Sequence, residues 1–161
     1  MLDLDNLDLG DIADALADQF GGYEHLMLID PQTGETVYWS ADTGIDGNTP
    51  IDLDELLEER ELTGIRPLPS WVWYQDMADF ADGISDEQAG RRLERTIRGR
   101  GAFRRFKDEL REEHPDLLPA WYEFRDTRAM RRAVEWLAEQ LLIDVAAADR
   151  YLASHPEPGL P

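Results

Sequence analysis

The stretch Tyr23-Glu24-His25-Leu26-Met27-Leu28-Ile29-Asp30-Pro31-Gln32-Thr33-Gly34-Glu35-Thr36-Val37-Tyr38-Trp39-Ser40 decides the fold. Two runs of aliphatic, aromatic and β-branched residues flank Asp30–Gly34, where Pro and Gly supply the backbone angles of a reversal. The segment therefore reads as a hairpin, with one strand from Tyr23 to Asp30 and its return from Glu35 to Ser40. Side chains alternate across a strand, so pairing Asp30 with Glu35 puts Leu26, Leu28, Val37 and Trp39 on one face. The other face, with His25, Met27, Ile29 and Tyr38, is also largely apolar, and both faces are expected to be covered.

Upstream, Asp5 to Gln19 reads as a helix with Leu9, Ile12, Ala13 and Leu16 at helical spacing, ended by Gly21-Gly22. Downstream, Ala41–Thr49 is a loop, and Asp52-Leu53-Asp54-Glu55 has the spacing of a capping box that opens a helix to about Glu61. Gly64 to Pro69 is extended, and Pro67 confines it to a sheet edge. Ser70 is placed to cap a helix striped with Trp73, Met77, Phe80 and Ile84. Ser85-Asp86-Glu87-Gln88 opens another, carrying Ala89, Leu93 and Ile97 to Gly99. A helix from Gly101 is expected to bury Phe103, Phe106 and Leu110 and to stop at His114-Pro115. Pro119 to Leu142 is helical with a reset near Asp126, and its later part aligns Met130, Val134, Leu137 and Leu141. A last helix runs from Asp144 to about Ala153. Strands come early and helices late, which defines an α+β protein. Its expected form is a small antiparallel sheet, the N-terminal hairpin plus an edge strand, packed with a mostly helical C-terminal half of four to five helices. We expect one compact domain over residues 1–155 and a Pro-rich tail over 156–161.

At 161 residues, with 42% apolar residues, the chain can bury a sizeable core despite its charge. It has no cysteine, which removes disulfides, thiolate metal sites and cysteine nucleophiles from consideration. The start, Met1-Leu2-Asp3-Leu4-Asp5, lacks the basic and apolar runs of a signal peptide, and no apolar stretch approaches the roughly 20 residues of a membrane span. A cytoplasmic location and no membrane association are the expectations that follow. Net charge is −19, unevenly spread. Residues 1–90 hold 22 acids against Arg60 and Arg66, whereas 91–111 hold nine bases against Glu94, Asp108 and Glu109. The acidic half repels phosphates and argues against general nucleic-acid or membrane affinity.

The sharpest local feature lies in that basic stretch, Arg98-Gly99-Arg100-Gly101-Ala102-Phe103-Arg104-Arg105-Phe106-Lys107. Two glycines separate two helices, and the second helix begins beside several arginines. Helix N-termini and glycine-permitted turns attract anions, and guanidinium forks hold phosphate or carboxylate. Arg98, Arg100, Arg104, Arg105 and Lys107 are therefore candidate ligand or partner residues, for a phosphate-bearing ligand among others. The plainer account is a turn whose arginines pair with the acidic N-terminal half. Trp71-Val72-Trp73-Tyr74 is the second candidate: an exposed Trp71 makes it a binding hot spot, and a buried one makes it core. His25, His114 and His155 have no partners at metal-ligand spacing, and the Asp clusters near Asp3 and Asp42 miss the calcium-loop pattern. No Walker, nucleophile-elbow or dinucleotide fingerprint is present, so no cofactor, metal or catalytic residue is assigned.

The hairpin Leu28–Val37, Pro67-Leu68-Pro69-Ser70, Met77-Ala78-Asp79-Phe80, Gly101-Ala102-Phe103-Arg104-Arg105-Phe106-Lys107-Asp108, Trp121-Tyr122-Glu123-Phe124-Arg125-Asp126 and Ala133-Val134-Glu135-Trp136-Leu137 follow one another in order. Over about residues 5–142 this pattern resembles the bacterial Uncharacterised Protein Family 0158. The resemblance implies a small bacterial domain and brings no activity, cofactor or catalytic residue with it. It marks 101–108 and 121–126 as the hallmark runs, either a shared surface or a shared folding nucleus. Segregated charge with abundant Trp and Arg makes a non-catalytic, protein-binding role, with regulation as one form of it, the leading expectation. Phosphate, nucleotide or RNA binding through residues 98–107 is the first alternative, and a carboxylate-based enzyme the second.

Overall fold

The computed structural model describes residues 1–19 and 24–161. The expected helix stop at Gly21-Gly22 and strand start at Tyr23 lie outside the described residues. The chain is α+β and divides into two compact units, Met1–Leu68 with Met130–His155, and Pro69–Ala129 with Pro156–Pro161. The first is unit 1 and the second unit 2.

Unit 1 opens with a 3-10 turn at Leu4–Asn6 and a helix α1 at Leu9–Ala17, so the first helix is shorter than the periodicity suggests. The reason lies in the short acids before it: Asp3 and Asp8 each accept a backbone N–H and each begin a separate turn, the 3-10 turn and α1. Strands β1 (His25–Ile29), β2 (Thr36–Ser40) and β3 (Thr63–Ile65) form an antiparallel sheet in the order β2-β1-β3. The hairpin register is the expected one, with Leu26 opposite Trp39 and Leu28 opposite Val37. Asp30 closes the turn: its carboxylate accepts from Gln32 N at 2.8 Å, its carbonyl accepts from Gly34 N, and its N–H donates to Glu35. Gly34 is required there, because its φ is +79° and an added Cβ would stand 2.4 Å from Leu7 Cδ2. β3 occupies a sheet edge and ends before Pro67, which could not have extended the ladder as a donor.

One face of the sheet packs Leu26, Leu28 and Trp39 against Leu53 and Leu56 of helix α2 (Leu53–Arg60), whose first turn is capped by Asp52. The other face is only partly covered. Ile29 is buried, but Tyr38 is 55% exposed and stacks on His25. Helix α7 (Val145–Ser154) completes the unit, with Arg131 donating to the carbonyls of Leu152 and His155 at its C-terminal end.

Unit 2 is helical: α3 (Trp71–Gly83), α4 (Glu87–Thr96), α5 (Ala102–Glu113) and a 3-10 turn at Pro115–Leu117. Helix α6 (Leu118–Glu139) belongs to unit 2 as far as Ala129 and to unit 1 from Met130. Met77, Phe80, Ile84, Leu93, Phe106, Leu110, Trp121 and Phe124 form one core, with the rings of Phe80, Phe106 and Trp121 in edge-to-face pairs. The α3–α4 crossing is close: a Cβ on Gly90 would stand 2.6 Å from the Ala81 carbonyl oxygen. The last residues fold onto this unit. Leu160 packs on the core over Gly83, and Ser85 N donates to the Pro161 carbonyl at 2.6 Å.

Several expectations need correction. Ser70 precedes α3 with helical backbone angles and its side chain caps nothing, while α4 is capped by Asp86 rather than Ser85. α6 runs without a reset at Asp126. Leu141 lies beyond its end with φ +60° and points outward, leaving Leu142 and Ile143 to enter the core. Phe103 is at the surface, and Ala102 takes the buried position beside Phe106 and Leu110.

Candidate functional site

The turn between α4 and α5 is built by its glycines and by one arginine. Gly99 (φ +80°) and Gly101 (φ +72°) are both left-handed, a conformation that a Cβ would strain. The Arg105 side chain folds back under the turn, donating to the carbonyls of Thr96, Arg98 and Arg100. Those carbonyls are released where α4 ends, and the planar guanidinium fork collects them together. Arg105 is thus spent on the turn itself.

The other cations stand outward. Arg98 Nη2 lies 3.6 Å from Glu94 and Arg104 Nε 3.8 Å from Asp108, both exposed pairs within one helix or its end. These distances exceed hydrogen-bond length, and such pairs add little stability. Arg100 and Lys107 are exposed and have no carboxylate partner among the described residues. The partners of the turn are therefore local ones.

Trp71 is 66% exposed at the first position of α3. Tyr74 follows one turn later, and its ring meets that of Phe103 with centroids 4.7 Å apart. Phe103 is the second residue of α5, so this ring pair joins the first turns of the two helices. Exposed aromatic surface thereby adjoins Arg100, Arg104 and Lys107. Neither α3 nor α5 has a side-chain cap or an acid in its first turn, whereas Asp8, Asp52, Asp86 and Asp144 cap α1, α2, α4 and α7. The sequence reading singled out the segment that holds Tyr74 but expected Phe103 in the core and so missed it as a surface residue. A signal existed: Ala102, Phe106 and Leu110 already make a buried stripe at spacing four, and Phe103 lies about 100° off it.

Other polar groups are occupied structurally. Arg128 donates to Asp76 at 3.0 Å, Asp79 at 2.7 Å and Glu157 at 2.8 Å, and lies over the Phe124 ring. In unit 1, Asp11, Asp14, Asp18, His25 and Tyr38 line a cavity of about 230 Å³ floored by Met27, Ile65 and Pro67. There His25 Nε2 is already engaged with Asp18 at 2.9 Å. His114 Nε2 stands 3.5 Å from Glu109, which also faces Arg92. Among the described residues no group of three or more His, Asp or Glu is placed to hold a metal ion. No helix among them is long and apolar enough to cross a membrane.

The hallmark runs divide between core and surface. From 101–108, Ala102 and Phe106 are core and Arg105 holds the turn, leaving Phe103, Arg104 and Lys107 outside. From 121–126, Trp121 and Phe124 are core, while Tyr122 is exposed under the Arg125 guanidinium at 4.9 Å. These are features of a small α+β protein of an uncharacterised family. The family's sequence profile matches residues 6–157, and the chain belongs to the uncharacterised protein family UPF0158. It is similar to a UPF0158 protein of Pseudomonas aeruginosa, 30% identical over 157 residues, which cover 96% of this chain and 95% of the relative. No solved structure matches the chain.

Proposed function

We propose that this is a non-catalytic interaction protein that binds a protein partner through the surface where Trp71, Tyr74 and Phe103 adjoin Arg100, Arg104 and Lys107. The exposure of Trp71, on a helix whose first turn meets that of the Arg- and Lys-bearing α5, carries this reading, because Trp and Arg dominate binding hot spots and large exposed apolar side chains mark contact surfaces. Charge supports it too. Unit 1 holds 21 acids and five bases, whereas unit 2 holds 14 acids and 11 bases, nine of them in residues 91–111. The alternative of a phosphate site in the turn is weakened by Arg105, whose fork is taken by carbonyls.

The test places a photo-reactive benzoylphenylalanine at Trp71 and, as a control, at exposed Val145 in unit 1. A discrete protein adduct from position 71, missing from position 145, supports the reading. Equal or no adducts from both positions sink it.

A further inference from the structure

We infer that the occupant of this surface is an acidic peptide segment of a partner protein carrying at least one large apolar side chain. The inference rests on the interaction reading above and adds the partner's chemistry. Three observations converge on it. Trp71 and Phe103 offer exposed apolar contact area, and Tyr74, half-buried against the core, links to them through its ring contact with Phe103. Around it stand Arg100 and Lys107 without carboxylate partners among the described residues, and Arg104 held only loosely at 3.8 Å from Asp108. The two helix starts that meet at the Tyr74–Phe103 contact carry no capping carboxylate of their own, so their positive dipole ends add to the same field. An incoming carboxylate meets donors and positive charge here, and its neighbouring apolar side chain meets rings.

A peptide suits this surface better than a nucleic acid. The cations form a short cluster rather than a track, since the fork of the central Arg105 is taken by the carbonyls of its own turn. A long polyphosphate would also have to lie on a chain of net charge −19, whereas a short segment carries only a few charges. Arginine and lysine beside aromatic rings also fit the anchor-and-rim pattern of protein interfaces.

The probes are a short fluorescein-labelled peptide of glutamate and phenylalanine, its glutamine-for-glutamate counterpart, and single-stranded poly(U). Fluorescence anisotropy is read for the whole chain and for Trp71→Ala and Arg104→Glu/Lys107→Glu, with circular dichroism confirming their fold. The acidic peptide should bind more tightly than its glutamine counterpart, weaken with salt, and lose about tenfold or more in affinity in both variants. Binding of poly(U) in preference to the peptide overturns the inference in favour of a nucleic acid. Self-association that Trp71→Ala abolishes overturns it in favour of a second copy of this chain. No binding by any probe, or binding that both variants retain, overturns it as well. Adducts from position 71 that persist when the peptide fails would leave the protein-partner reading standing. Loss of both would remove the two together.

Discussion

Arg128 Nη1 lies 3.0 Å from Asp76 Oδ1, and Asp76, at 1% exposure, is the one buried charged side chain among the described residues. Burial works against the charge on Arg128, but Asp79, Asp76 and Glu157 outweigh it and hold its proton more firmly than usual. Arg128→Met should cost about 3–5 kcal/mol in urea unfolding, because it takes the compensating positive charge away from the buried Asp76 carboxylate. Pairing it with Asp76→Leu should recover a large part of that loss, which a double-mutant cycle measures.

Two adjacent arginines should behave differently. Arg105→Ala frees three carbonyls of the α4–α5 turn and should destabilise by about 1–3 kcal/mol. Arg105→Lys should rescue little, since an ammonium cannot reproduce the fork. Arg104→Ala, in an exposed pair, should stay within about 0.5 kcal/mol of wild type. Chemical unfolding of the three variants distinguishes them.

The two tryptophans of the hallmark and candidate segments should separate stability from binding. Trp121→Ala empties a position enclosed by Phe80, Phe106 and Phe124 and should cost about 3–5 kcal/mol. Trp71→Ala should leave the unfolding midpoint almost unchanged while abolishing partner capture. A Trp71→Ala variant that unfolds would contradict its place at the surface.

Much of unit 1 was legible because its signals are local. The Asp30–Gly34 turn fixes the hairpin register, and Asp52 and Leu53 mark the start of α2 within a few residues. Pro67 likewise confines β3 to an edge. What escaped was decided by tertiary choice between similar neighbours. Phe103 and Ala102 are one residue apart, and the tight approach of α5 to the core takes the smaller. Leu141 and Leu142 were likewise exchanged, because the helix ends one turn earlier and a left-handed residue reverses the facing. For the candidate surface, the arginines and Trp71 could be named from composition. That Arg105 folds back onto its own turn depends on three carbonyls converging where α4 ends, which no spacing rule encodes.

Two glycines of unit 2 offer a graded test of packing. Gly90→Ala would drive its methyl against the Ala81 backbone oxygen at 2.6 Å, and should separate α3 from α4 at a cost of about 1–3 kcal/mol. Gly83→Ala meets only the Leu160 methyl at 2.5 Å, which can rotate aside, so its cost should be the smaller. Thermal unfolding of the two variants ranks them.

The loop aspartate Asp46 accepts backbone N–H bonds from Asn48 and Thr49, each at 2.8 Å, and these lower its pKa below the ordinary 3.8. A lowered folded pKa means that its contribution to stability is present above the unfolded value and is lost as pH falls through the folded one. The Asn48 and Thr49 amide resonances should therefore stay fixed through mild acid and shift only below the ordinary aspartate range. In Asp46→Asn the step should vanish.

Residues 156–161 belong to unit 2, although the preceding 26 residues, Met130–His155, belong to unit 1. The chain thus enters unit 2, leaves it and returns to finish it. On the ribosome, the segment holding Phe80 and Trp121 emerges long before Leu160 can reach its seat over Gly83. Vectorial folding, which favours whatever is made first, cannot seal this core until residue 161 has cleared the exit tunnel. Closure of unit 2 therefore waits on residues 156–161, and a nascent chain halted at position 155 would present chaperones with an unfinished helical core.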